Sequence, residues 1–308
     1  MPFFSIIIPV YNKEKFISNT LKSVFNQTFQ DFEIIIVNDG STDESEKEIL
    51  KFDDKRIVYF FNKNAGVSKA RNFGIKNAKS EYICFLDADD YWFPNFLETF
   101  KNCINTYPNE KVFSSKKEIE TASKIILPTY SISIKNDFEV VDFFKASQKE
   151  CVLWTSTAVI HKSVFNDIGN YDEKINRGED TELWIRIGLK YKIVFIAKVL
   201  ARHVYDEKSA SRASNYFFES YTFNKYKNLE KENLALKKIM DLNRFSAIIK
   251  SKINGDWKNS KQIYSEINLR NLNWKKRILL KTPRFLLKIL MRVNHFLLQI
   301  GLTNSAFR

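Results

Sequence analysis

The stretch Tyr82-Ile-Cys-Phe-Leu-Asp87-Ala88-Asp89-Asp90 decides how this chain is read: an apolar run ends in three carboxylates within four positions. Ile83, Phe85 and Leu86 suit the body of a buried strand. Such a strand delivers its terminal charges to the carboxyl edge of a sheet, where open α/β folds bind ligands. Carboxylates this close repel one another unless a cation sits among them. The cluster therefore points to a hard divalent ion, Mg²⁺ or Mn²⁺, that shares its remaining positions with phosphate oxygens. The same residues also suit a plain acidic turn, because Asp is common in turns.

Working outward, the first 90 residues alternate in the βα manner. Residues 3–10 form a continuous apolar run, as expected of a strand buried on both faces. Residues 14–26 carry helical spacing at Phe16, Ile17, Leu21, Val24 and Phe25. A second strand over 32–37 ends in Asn38-Asp39-Gly40-Ser41-Thr42-Asp43, where Ser41 or Thr42 can cap the next helix. A third covers 57–61. Asn64-Ala65-Gly66 then turns into a helix through Lys69, Arg71 and Ile75, and residues 82–86 make the fourth strand. This alternation predicts an α/β fold with a mostly parallel sheet flanked by helices. Tyr11-Asn12, Asn38-Asp39-Gly40 and Asp87-Ala88-Asp89 then converge on one rim. An acceptor for a base or ribose, a cation for phosphate and an acidic cluster together describe a nucleoside diphosphate site. Taken alone, Asp39 also reads as a helix-start turn and Arg71 as part of a solvated helix face.

In order and spacing, Ser5-Ile-Ile-Ile-Pro-Val-Tyr-Asn12, Ile36-Val-Asn-Asp-Gly-Ser-Thr-Asp43, Ala70-Arg71-Asn72 and Phe85-Leu-Asp-Ala-Asp-Asp90 resemble the family 2 glycosyltransferases, which have a GT-A fold. Arg177-Gly-Glu-Asp-Thr-Glu-Leu-Trp184 is similar to the segment in which that family carries its catalytic Glu-Asp pair. The likeness spans about residues 3–212. It implies that Asp39 binds the base of a sugar nucleotide, a UDP-sugar first among the candidates. It places Asp87 near the ribose, Arg71 near the base and diphosphate, and Pro9, Tyr11 and Ala88 among the residues holding the nucleotide. Asp89 would ligate a Mn²⁺ or Mg²⁺ bridging the phosphates, and His203 would stand against the metal or the diphosphate. Asp180 would be the general base of an inverting transfer, with Glu179 as the alternative.

The residues themselves add detail. A hydroxyl nucleophile needs a positioned base within hydrogen-bond reach. Gly178 permits a sharp turn, and a helix over 181–190 puts Asp180 at its N-terminus. There the helix dipole weakens a carboxylate as a base, and an N-cap is the commoner fate of such an Asp. Residues 94–106 read as a helix opened by Pro94, and 111–150 as scattered short strands. Trp154 suits core packing before a sugar-stacking role, and His203 reads equally as an ordinary strand histidine. Ser209 to Arg212 would form a lid over bound donor. No pair of His or Cys has zinc-ligand spacing, and no glycine-rich basic loop suits a nucleotidyltransferase.

The chain has 308 residues, 44% hydrophobic and 28% charged, within the range of a globular protein of about two domains. Three cysteines, Cys84, Cys103 and Cys151, fit a reduced cytosolic setting. No signal peptide and no uncharged apolar run of spanning length is read. The charge is uneven. Residues 215–308 hold 19 Lys/Arg and 6 Asp/Glu, which is the whole net charge of +13, so residues 1–214 balance. The expected division is a GT-A-like catalytic domain over 1–214 and a helical, basic, amphipathic region over 215–308. In the last helix, capped by Thr282 with Pro283 first and closed by Gly301, Arg284, Lys288, Arg292 and His295 share one face among apolar residues. Such a helix suits an anionic membrane surface. A homodimer contact is the other use, and nucleic acid is not expected because no recognition module is present. The expectation is a peripheral enzyme at the cytoplasmic face of a membrane. It would pass sugar to a hydroxyl of a saccharide or lipid-linked saccharide acceptor in surface polysaccharide synthesis. The competing expectations are a polyprenyl phosphate acceptor, and a non-catalytic nucleotide- or carbohydrate-binding protein of the same fold.

Overall fold

The computed structural model describes the backbone of residues 1–121, 124–175, 177–204 and 220–299, and the side chains of all of these except 220–222 and 294–299. Among the described residues ten strands form one mixed sheet: β1 (Phe4–Val10), β2 (Phe32–Asn38), β3 (Ile57–Phe61), β4 (Tyr82–Phe85), β5 (Tyr91–Trp92), β6 (Val112–Glu120), β7 (Ile125–Ile126), β8 (Phe138–Val141), β9 (Val159–His161) and β10 (Ile193–Val204). Their order is β3-β2-β1-β4-β9-β6-β10-β5, with β7 on β6 and β8 on β10. The long ladders, β1 with β2 and β6 with β10, are parallel, as are β2 with β3 and β1 with β4. Antiparallel β9 joins β4 to β6, so β10 runs in the same direction as β1, β2 and β4.

The apolar run of β1 is buried along its whole length and feeds two cores by strict alternation. Ile7 faces one core with Ile35, Val37, Ile83 and Phe85, while Phe4, Ile6, Ile8 and Val10 face the other with Ile34, Ile36, Cys84 and Leu86. Each fully buried Ile of this kind contributes about 1.5–3 kcal/mol. The second core is covered by helices Ile17–Phe25 and Phe96–Thr106. The first is covered by helices Val67–Asn77 and Glu179–Lys190 and by the C-terminal helices, whose Tyr226, Leu236, Met240, Phe245 and Leu287 belong to the same apolar cluster.

Several boundaries differ from the sequence reading. Leu86 falls just past β4, and residues 112–120, read as fragments, make one long central strand. Helix Glu179–Lys190 starts two residues early. Gly178 is its N-cap at φ +80°, and Glu179 and Asp180 both lie in the first turn. Neither Ser41 nor Thr42 caps the helix Ser45–Ile49; Asp43 Oδ1 accepts from the Ser45 N–H instead. In the basic region Asn233, Asp256 and Asn273 cap helices Leu234–Asn254, Trp257–Tyr264 and Trp274–Lys281. The Thr282 hydroxyl donates back to Ile278 O rather than forward. Gly301, the 209–212 lid and the 214 boundary lie outside the described residues. All three cysteines are free thiols.

Candidate active site

Three neighbouring parallel strands end at one rim, and each hands its loop to the site. After β1, Tyr11 is half exposed and Asn12 takes φ +52°, a conformation that Asn tolerates better than most residues. Asn12 Oδ1 accepts from the Thr42 N–H at 2.8 Å and so ties the first loop to the second. After β2, Gly40 at φ +72° lies against Asn64; an added Cβ would come 2.7 Å from its nitrogen, so no larger residue fits. Asp39, 5% exposed, accepts from the N–H groups of Ala65 and Gly66 at 2.9 and 2.8 Å. Its two oxygens thereby hold the loop that opens helix Val67–Asn77 and keep lone pairs for a further donor. Pro9 lies buried inside β1 and Ala88 is 3% exposed, so both shape the rim from behind.

Arg71, delivered by helix Val67–Asn77, is the hub. Its Nη2 donates to Asp87 Oδ1 and its Nη1 to Glu179 Oε1, each at 2.9 Å, and only 5% of the side chain is exposed. The guanidinium also lies 5.2 Å from the centre of the Tyr171 ring. Burial works against the charge, but Asp87 and Glu179 outweigh it and hold Arg71 above its ordinary range. Arg71 Nε, the Tyr171 hydroxyl, Ser68 Oγ and Arg177 Nη1 are four of the five buried polar side-chain atoms left without a partner among the described residues. Such atoms are rare in native structures unless a ligand or water meets them, and here they sit on or beside one rim.

The acidic turn after β4 is split three ways. Asp87 faces Arg71, and Asp89, 15% exposed, pairs with Lys13 Nζ. Asp90, almost fully buried, meets His203 Nδ1 at 3.0 Å and accepts from Ser156 Oγ. Ser156 Oγ in turn accepts from the Asp87 N–H at 3.1 Å, so one hydroxyl braces both ends of the turn. Burial pushes the Asp90 carboxyl up to about 6 against the pull of His203. Beyond His203, at the end of β10, the ring of Trp154 lies edge-on at 5.1 Å. Lys117 Nζ sits 4.4 Å from the centre of Trp154 and 3.3 Å from Glu150.

Glu179 and Asp180 face different surroundings. Glu179 is raised above its ordinary range by burial and by the neighbouring Asp180 charge, with Arg71 opposing. Asp180 accepts from the Thr181 N–H at 2.6 Å and forms no ion pair among the described residues. Asp180, Glu150 and Lys117 all act electrostatically on the Cys151 thiol, which burial pushes up to about 12.

Among the described residues no group of three His, Cys, Asp or Glu converges as a metal cage. The donor set fits a different kind of site, in which one carboxylate and the phosphates of a ligand share the ion. Asp89 is the carboxylate of the turn that neither Arg71 nor the core engages. His203, fixed through Nδ1 by Asp90, has the orientation that a supporting carboxylate gives a ligating imidazole.

The description Glycosyl transferase family 2 matches residues 5–169, more than half the chain. The chain belongs to glycosyltransferase family 2. It is 32% identical to the uncharacterized glycosyltransferase RT0329 of Rickettsia typhi over 71% of this chain and 69% of that protein. It is 33% identical to the minor teichoic acid biosynthesis protein GgaB of Bacillus subtilis over 72% of this chain, but over only 26% of that longer protein. Among solved structures, S. aureus TarS 1–349 in complex with UDP-GlcNAc aligns with a TM-score of 0.61 and 19% identity, covering 90% of this chain and 78% of that one. The GT-A-like fold read from the sequence is the fold observed, and the chain is a glycosyltransferase.

Of the residues singled out in the sequence, the rim brings together Tyr11, Asp39, Arg71, Asp87, Asp89, Glu179 and His203, with Asp180 one position on. Sequence reading missed Lys13 and Ser156. Lys13 follows the quoted Tyr11-Asn12 pair directly, and Ser156 lies in a segment noted only for its tryptophan. Neither carries a local signal, because what defines each is a partner 76 or 66 positions away.

Proposed function

We propose that the enzyme is an inverting glycosyltransferase. It moves a sugar from a nucleoside diphosphate donor, a UDP-sugar, to a hydroxyl of a saccharide or lipid-linked saccharide in surface polysaccharide synthesis. One observation carries this reading: Asp39, Arg71, Asp87, Asp89 and the Glu179–Asp180 pair share one strand-end rim, with orphaned polar atoms among them. The similarity to GgaB supports a polymer acceptor, and the UDP-GlcNAc complex of the TarS fold supports the donor class.

In this mechanism the Asp39 loop receives the base and Asp87, held by Arg71, receives the ribose. Asp89, with His203 held by the adjacent Asp90, would hold Mn²⁺ or Mg²⁺, which when bound supplies charge stabilisation to the departing diphosphate. Asp180 takes the proton from the acceptor hydroxyl as it attacks the anomeric carbon from the face opposite the leaving group. Glu179, bound to Arg71, fixes the angle at which the first turn of its helix presents Asp180. Bond making and breaking balance: the new glycosidic bond replaces the bond to the nucleoside diphosphate, and the hydroxyl proton goes to Asp180.

A second reading has a specific observation in its favour. Asp180 accepts from the N–H of its own helix turn, so one of its oxygens is already engaged. An acceptor that is already anionic, such as a polyprenyl phosphate, would need less of it. The test is a thermal-shift screen of nucleoside diphosphates with and without Mn²⁺. A ligand at 100 times its dissociation constant adds about 2.7 kcal/mol of stability. Stabilisation by UDP that requires an intact Asp89 supports the proposal, and indifference to every nucleotide overturns it. Asp180→Asn then separates the acceptors, abolishing transfer to a hydroxyl but leaving transfer to a phosphate largely intact.

A further inference from the structure

The last two described helices leave an apolar ridge uncovered. On helix Arg284–Gln299, Leu287 is fully buried and anchors the helix. Phe285, Ile289 and Val293 are spaced four apart, lie on the side roughly opposite Leu287, and are 63%, 50% and 48% exposed. Leu286 and Leu290 widen the ridge. On the preceding helix, Trp274 and Ile278, also four apart, are 67% and 55% exposed. Single exposed apolar residues are ordinary, but five at neighbouring positions of one helix, with two more on the helix before it, mark an interaction surface.

Charge identifies the partner. Lys275, Lys281, Lys288 and Arg292 are exposed around these apolar residues, and no acid follows Glu266 in the sequence. Arg284, which the sequence places on the same basic face, is instead spent inside the fold, where its Nε donates to Ile253 O at 3.0 Å. Lys276 lies over the Phe245 ring and is likewise turned to the protein. A second copy of the chain would bring like charges together across the contact. Nucleic acid would gain nothing from Ile289, Leu290 and Val293. Among the described residues no helix is long and apolar enough to cross a bilayer, but a helix with an apolar ridge beside cations is what lies in the headgroup layer.

We infer that helices Trp274–Lys281 and Arg284–Gln299 form a docking surface for an anionic lipid bilayer. Phe285, Ile289, Val293 and Trp274 enter the acyl boundary, and Lys275, Lys281, Lys288 and Arg292 meet lipid phosphates. The inference goes beyond the proposed reaction and is independent of donor and acceptor.

The experiment is co-sedimentation of the full chain with phosphatidylglycerol-containing and pure phosphatidylcholine vesicles, without nucleotide. Binding to the anionic vesicles that falls with added salt is the expected result. Lys288→Gln with Arg292→Gln should weaken it by at least tenfold, since each basic residue near an anionic surface contributes about 1 kcal/mol. Phe285→Ser with Ile289→Ser should weaken binding to both compositions. All four positions are exposed, so the variants keep the fold, and an unchanged nucleotide thermal shift verifies it. The inference is overturned by absent sedimentation, by binding indifferent to both pairs of substitutions, or by a concentration-dependent dimer that the serine pair dissolves.

Discussion

Arg71 reaches Glu179 with one nitrogen and Asp87 with the other, both at 2.9 Å. Under the proposed mechanism this divides the labour within the Glu-Asp pair. Glu179 is held by a buried guanidinium that fixes its orientation and occupies one of its oxygens, although burial and the Asp180 charge raise its pKa above the ordinary range. Asp180 carries no such pairing among the described residues.

The first prediction follows from that division. Asp180→Asn should lower kcat by about 10²–10⁴, the usual worth of a positioned base, with UDP affinity retained. Glu179→Gln should act mainly by raising the donor KM, because it loosens Arg71 and with it Asp87. Steady-state kinetics beside calorimetric UDP binding would separate the two. A larger loss of kcat in Glu179→Gln would make Glu179 the base.

Arg71 also carries stability. Removing it strands two carboxylates in a site where only 5% of the guanidinium side chain meets solvent. Breaking a buried pair in this way costs about 3–5 kcal/mol. Arg71→Met should show that loss in urea denaturation. The double variant with Asp87→Asn should lose less than the sum of the single losses, because one of the two stranded charges is gone; coupling of about 0.5–3 kcal/mol is expected. Simple additivity would mean that the pair contributes no net coupling.

The contrast between what could be read in sequence and what could not is physical. β1, β2 and β4 and their loops were legible because strands buried on both faces leave unbroken apolar runs, and because charge that ends such a run must lie at the sheet edge. The partition of the acidic turn was not legible. Asp87, Asp89 and Asp90 look alike in sequence, yet they belong to Arg71, Lys13 and His203 through contacts that only the folded chain creates. Asp39 was legible as a rim residue, but not as the holder of the Ala65–Gly66 loop. The long strand β6 was hidden for the opposite reason: its Ser114, Ser115, Lys116 and Lys117 break the apolar pattern, although Lys117 is buried against Glu150 and Trp154.

Lys13 leads to the third prediction. Its ammonium pairs with Asp89, so under the proposed mechanism it competes with the divalent ion for that carboxylate. Lys13→Met should tighten Mn²⁺ binding by the nucleotide-free protein roughly fivefold, consistent with about 1 kcal/mol for a partly exposed pair. Asp89→Ala should abolish that binding. Electron paramagnetic resonance of free Mn²⁺ reads both without any turnover, and unchanged binding in Lys13→Met would remove Lys13 from this role.

The fourth concerns the joint between the catalytic helix and the basic region. Glu182, fully buried on helix Glu179–Lys190, accepts from Arg186 on its own helix and from Lys225 and the Tyr226 hydroxyl of the following region. Burial works against its charge, yet the bonds from Arg186 and Lys225 prevail and hold it below the ordinary value of 4.5. A carboxyl with a lowered folded pKa gives stability that is fully present above its unfolded value. That stability is lost as pH falls through the folded value, because the unfolded chain takes up the proton first. Glu182→Gln should therefore cost about 3 kcal/mol at neutral pH by stranding two cations. The gap between wild type and variant should close progressively as pH drops below about 4.5. Chemical denaturation across that range measures it. A gap constant with pH would mean that packing, and not the charge of Glu182, joins the basic helices to the helix bearing Asp180.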